Sequence, residues 1–87
     1  MKFDYITDPG HGWLKVPRHL VQSLDLAARI TPYSYERGAW VYLEEELDMG
    51  AFIDEYRARG GIVNIRQRNC RERVSRVRSY DHYRGQA

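Results

Sequence analysis

Cysteine occurs once in this chain, at Cys70, so no disulfide can close within it and no multi-cysteine zinc site can form. Proline occurs only at Pro9, Pro17 and Pro32, each beside an apparent turn or element boundary. No stretch approaches the roughly 20 apolar residues that a membrane-spanning helix needs. The opening residues, MKFDYITD, carry acids where a secretory leader would have an apolar core. These absences lead us to expect a cytoplasmic protein in a reducing environment, without a membrane partner.

Metal and nucleotide motifs are missing as well. The three histidines, His11, His19 and His82, form neither an H-x-x-x-H nor an H-E-x-x-H pattern. Gly10-x-Gly12 lacks the third glycine and the strand–helix context of a dinucleotide fingerprint. No cofactor and no metal are therefore expected.

What is present suffices for one folded domain spanning residues 1–87, with 43% apolar and 13% aromatic residues. The net charge of +2 conceals a split. Residues 1–56 hold five Lys/Arg against ten Asp/Glu, and residues 57–87 hold nine arginines against Glu72 and Asp81. Such asymmetry points to an electrostatic partner if the fold keeps the charges apart. The second part has arginine and no lysine, and arginine's planar fork suits carboxylate or phosphate contacts.

Residues 2–6 alternate as a strand, TDPGHG reads as a tight turn, and WLKV reads as the returning strand of a hairpin. Pro17 fits the first turn of a helix, in which Leu20, Val21, Leu24, Ala27 and Ala28 fall on one face. YSYE predicts a third strand, and AWVYLEE a fourth with Trp40 and Tyr42 on one face and Val41 and Leu43 on the other. Asp48 is the expected N-cap of a second helix carrying Met49, Phe52, Ile53 and Tyr56, closed by Gly60-Gly61. IVNIRQR predicts another strand. Residues 70–83 support either a helix, with Asn69 as cap and Cys70, Val74 and Val77 at helical offsets, or a strand over residues 73–80 pairing with residues 62–68; the strand is preferred. The expected class is α+β, a two-layer fold in which an antiparallel sheet packs two helices on one face in the order ββα-ββα-β.

His11 lies between glycines in a turn, with no nucleophile motif near it, so a structural turn or a contact loop outranks catalysis. Trp13 and Trp40 are expected in the core, and either one, if exposed, becomes the anchor of an interface. Glu44, Glu45 and Glu46, with Asp48, form an acidic run that could bind a divalent cation or an arginine-rich partner. Side chains alternating at a strand end cannot all converge on one ion, and a solvated lead into the second helix is preferred. The strongest signal is the arginine set. Arg66 and Arg68 would share one strand face, Arg76, Arg78 and Tyr80 one face of the next, and Tyr83 would follow. Arginine interleaved with tyrosine can grip phosphates and stack bases, or meet an acidic protein, or merely be solvated.

The segments DPGHGWLKVP, ITPYSYERGAWVYLEEELD and VRSYDHY together resemble a family of short bacteriophage and prophage proteins. The shared pattern, DPGHGWLxVP…PYSYxxGxxVYLEEExD…RSY, runs from Asp8 to Tyr83 but carries no nameable chemistry. The resemblance implies a phage accessory protein inside the host bacterium, with anti-CRISPR-like proteins as a model for how it would act. The leading expectation is thus a non-enzymatic protein that binds a host protein or CRISPR effector complex stoichiometrically. The alternatives are nucleic-acid binding through Arg66, Arg68, Arg76, Arg78 and Tyr80, and an enzyme using His11. The oligomeric state, a homodimer included, stays open.

Overall fold

The computed structural model describes residues 1–69 and 76–84. It is a mixed α/β structure with one six-stranded sheet and two helices. Strands β1 (Lys2–Thr7) and β2 (Gly12–Pro17) form the hairpin, followed by helix α1 (Arg18–Ser23). Strands β3 (Tyr35–Arg37) and β4 (Trp40–Glu44), helix α2 (Asp48–Ala58) and strand β5 (Asn64–Asn69) come next. A 3-10 turn (Arg76–Ser79) and the short strand β6 (Asp81–His82) complete the described chain. The strands lie in the order β5-β1-β2-β4-β3-β6.

The expected all-antiparallel sheet is corrected at β5, which pairs with β1 in parallel, Phe3 opposite Ile65 and Asp4 opposite Arg66. Connectivity explains the correction. A hairpin reverses a strand, whereas a helical connection carries the chain back to its starting end, so the next strand runs the same way as the last. β1 is antiparallel to β2 and β2 to β4, so β4 and β5, joined through α2, share a direction with β1.

One side of the sheet carries the larger core. Phe3, Leu14, Val16, Val41 and Leu43 pack with Val21 of α1, with Leu24, Leu26 and Ile30 beyond it, and with Phe52 of α2. The Phe3 ring meets Phe52 and Tyr56 edge-on, with centroids 5.4 and 5.5 Å away. Each fully buried large side chain there contributes about 1.5–3 kcal/mol, so this side dominates the stability of the fold.

Both helices end by the same device. The Gly61 N–H reaches the Tyr56 carbonyl and the Gly60 N–H that of Arg57, with Gly60 at φ 88°. In α1 the Leu26 N–H reaches Val21 and the Asp25 N–H reaches Gln22, with Asp25 at φ 58°. These are Schellman closures, with a glycine in one and an aspartate in the other at the left-handed position. The closure at Asp25 stops α1 at Ser23, short of the expected stripe to Ala28, because Val21 and Leu26 are both buried across it.

Asp48 does not cap α2. The Glu44 carboxylate does so instead, accepting from the backbone N–H groups of Glu46, Leu47 and Asp48 at 2.8, 2.5 and 2.8 Å. The Asp48 carboxylate turns inward, 2% exposed as a residue, and accepts from Thr31 N–H, Thr31 Oγ1 and Ser34 Oγ at 3.0, 2.7 and 2.5 Å. It ties the loop before β3 to the start of α2.

The strand expected over residues 73–80 is also corrected where it can be seen. Residues 76–79 form the 3-10 turn, and β6 pairs with β3 rather than β5. Burial of Val77 against Trp13 and Tyr42 draws this segment onto the face of the sheet instead of alongside β5. The helical offsets at Cys70 and Val74 lie outside the described residues.

Candidate interaction surface

The sheet face turned away from the two helices is built by the alternate residues of each strand. β1 places Asp4 and Ile6 there, β2 places Trp13 and Lys15, and β4 places Trp40 and Tyr42. β5 adds Arg66 and Arg68 in register with Asp4 and Ile6. The face divides into two parts of different character.

The part over β2, β4 and β3 is closed by the chain itself. Val77 sinks between Trp13 and Tyr42, and Tyr80 lies on Tyr42 with ring centroids 5.0 Å apart. Tyr35 meets Trp13 edge-on at 6.1 Å and stacks on His82 at 4.6 Å. Arg78 fastens this cover. Its Nε and Nη2 donate to the two Asp8 carboxylate oxygens at 2.6 and 2.9 Å, and its guanidinium lies 5.5 Å from the Trp13 ring centre. The same Asp8 carboxylate accepts from the N–H groups of Gly10 and His11 at 3.0 Å each, shaping the DPGHGW turn. The Asp8 side chain is 1% exposed although its turn is on the surface.

No described residue covers the part over β5, β1 and the start of β4. Trp40 is 40% exposed, and the Lys15 ammonium sits 4.3 Å from its ring centre. Arg66 Nε donates to Asp4 at 2.8 Å, and Arg68 Nε lies 3.5 Å from the other Asp4 oxygen. Both guanidiniums approach through Nε, and their side chains remain more than half exposed. The Arg66 hydrogen bond, with the charges of Arg66, Arg68 and Lys15, holds the Asp4 carboxyl below its usual range against a smaller opposing effect of burial. A shallow hollow of about 140 Å³ opens among Asp4, Lys15, Pro17, Trp40 and Arg66. Three cations thus surround one carboxylate beside an exposed indole.

The residues that stand out in the sequence fall in different parts of the fold. Arg66 and Arg68 do share a face, as strand alternation requires. Arg76 and Arg78 do not extend it as a neighbouring strand: Arg78 is engaged with Asp8, and Arg76 is exposed on the 3-10 turn. Tyr80 is half-buried under the Arg37 guanidinium, 5.1 Å away. Tyr83 is a core residue, 4% exposed, whose hydroxyl donates to the Ala27 carbonyl at 2.6 Å. His11 is exposed at the hairpin turn, with its ring 6.2 Å from that of Trp13. Of the acidic run, Glu44 caps α2, Glu45 accepts from the Tyr5 hydroxyl at 2.8 Å, and Glu46 is exposed. Trp13 is buried as expected while Trp40 is not. Lys15 and Asp4 carry no signal in the sequence, because each is an isolated charge among apolar neighbours and only the cross-strand register brings them together.

Among the described residues no group of three His, Cys, Asp or Glu side chains is placed to hold a metal, and no helix is long and apolar enough to cross a membrane. No protein-family model, curated protein or solved structure matches the chain.

Proposed function

We propose that this chain is a small phage-encoded binding protein that engages a host protein or nucleoprotein complex stoichiometrically, as an anti-defence inhibitor of the anti-CRISPR kind. It acts in the host cytoplasm and without catalysis. The reading takes the two-layer ββα-ββα-β arrangement as its frame, with the helices on one side and the docking face on the other. The observation that carries it is Trp40, 40% exposed under Lys15 in the part of the aromatic face that no described residue covers. Tryptophan and arginine are the residues in which interface energy concentrates, and here they are adjacent.

The test is recovery of partners from host lysate by the tagged protein, with and without nuclease, beside Trp40→Ala. The expected result is a stoichiometric protein partner that survives nuclease and whose affinity falls about thirtyfold in Trp40→Ala. The stability of that variant should stay within about 0.5 kcal/mol of the parent, as for a surface substitution. Failure to recover any stoichiometric protein would remove the reading.

A second reading has its own support. Lys15, Arg66 and Arg68 beside an exposed indole are the components of a single-stranded nucleic-acid platform, with cations for phosphates and a ring for a base. It predicts affinity for oligonucleotides that falls steeply with salt, and recovery that disappears with nuclease.

A further inference from the structure

The outer edge of β5 supplies a more specific docking element. Among the described residues β5 ends the sheet, and all six of its residues are exposed. The Asn64 N–H donates to the Met1 carbonyl at 3.4 Å, with Asn64 opposite Lys2 in the parallel ladder. In a parallel ladder the N–H and C=O of one residue point to the same side, and successive residues alternate. Asn64, Arg66 and Arg68 therefore turn their backbone groups toward β1. Ile65 and Gln67 turn theirs outward, where no described residue pairs with them.

The side chains of this edge state what would fit. Arg66 and Arg68 stand on the face with Asp4 and Lys15, so three cations share one carboxylate and attract further negative charge. Ile65 stands on the opposite face, 45% exposed, with Ile62 nearby in sequence at 73%. A second copy of the chain meets repulsion in the registers that lay the arginines together. Antiparallel self-pairing centred on Arg66 or on Gln67 sets arginine directly opposite arginine, which is destabilising. An edge with charges on it resists its own kind and accepts a complement.

We propose that the outer edge of β5 accepts an extended acidic segment of a partner protein as a seventh strand. Its carboxylates lie over Arg66 and Arg68, and its apolar residues lie over Ile65. This rests on the binding-protein reading above and names the chemistry of the partner. Backbone bonds to Ile65 and Gln67 supply register, and the alternating side chains supply selectivity.

The experiment titrates the isotope-labelled full chain with a nine-residue peptide alternating glutamate and valine, and with its lysine–valine counterpart, while amide shifts are followed by NMR. The glutamate peptide should move the Ile65 and Gln67 amides and bind at least about tenfold more tightly than the lysine peptide. Its affinity should weaken as salt is raised. Gln67→Pro removes an outward N–H while leaving the bonds to β1 in place, so it should reduce peptide affinity at least about tenfold. The charge-reversed peptide pair tests the proposal even if that variant folds poorly. Equal affinity for both peptides, unmoved Ile65 and Gln67 amides, or self-association through this edge would overturn it. So would oligothymidylate moving these amides when the peptide does not. If a captured protein partner binds Gln67→Pro as tightly as the parent, the edge proposal falls and the binding-protein reading stands. If no protein partner is captured yet the glutamate peptide seats on β5, the reverse holds.

Discussion

Two carboxylates four residues apart, Glu44 and Asp48, divide the start of α2 between them. An aspartate ahead of an apolar-periodic run has the signature of a helix cap, and four residues upstream Glu44 has an equal reach that local rules do not weigh. Glu44 takes the helix end, which frees Asp48 to hold Thr31 and Ser34 in the interior. Asp48→Ala should therefore cost about 2–4 kcal/mol in urea unfolding, since it strands buried donors, and Asp48→Asn should cost less because an acceptor oxygen remains. Tyrosine ionisation provides a second test at this scale. Burial and then the Glu45 carboxylate push the Tyr5 hydroxyl up to about 12, and burial and then Tyr80 do the same for Tyr42. The unfolded chain releases these protons near 10, so the stabilisation is complete below pH 10 and is lost as pH rises toward about 12. Melting temperature should stay level through neutral pH and fall across that alkaline window, with a shallower fall in Tyr42→Phe.

At the scale of elements, the strands and helices were legible because their apolar spacing is regular, and their ends were less so. Trp40 and Tyr42 against Val41 and Leu43 needed only alternation. The length of α1 did not follow from its stripe, because Asp25 adopts a conformation that sequence patterns assign to glycine. The paired closures make a prediction: Asp25→Gly should stabilise the protein by about 0.5–1 kcal/mol, the strain that glycine relieves at this position. Its exposed 3.6 Å contact with Arg59 contributes little. A rise in denaturation midpoint, with an unchanged slope, is the expected result. The direction of β5 was also present in the order of elements, since a strand reached through a helix runs parallel to the one before it. Turn and strand propensities act within one segment and carry no information on the relative direction of two strands.

For the molecule as a whole, the charge split of the sequence has two destinations. Part of it is internal: Asp4 receives Arg66 and Arg68, Asp8 receives Arg78, and Asp25 receives Arg59. Early acids and late arginines bring distant parts of the chain together, so composition alone overstated what is left for a partner. The other is the β5 side of the sheet, where Lys15, Arg66 and Arg68 together outnumber the Asp4 they share. The candidate surface was half legible for this reason. Its arginines stood out in the sequence, while Trp40 and Lys15 became part of it only through the register of β1, β2 and β4. The placement of β1 also orders events in time. It is an interior strand whose two neighbours are the nearest segment, β2, and one beginning at Asn64. During synthesis the first hairpin can form early, yet one side of β1 must wait until most of the chain has emerged. Contacts across so long a separation close slowly, and until then the nascent protein presents to the cell a strand that the finished one conceals.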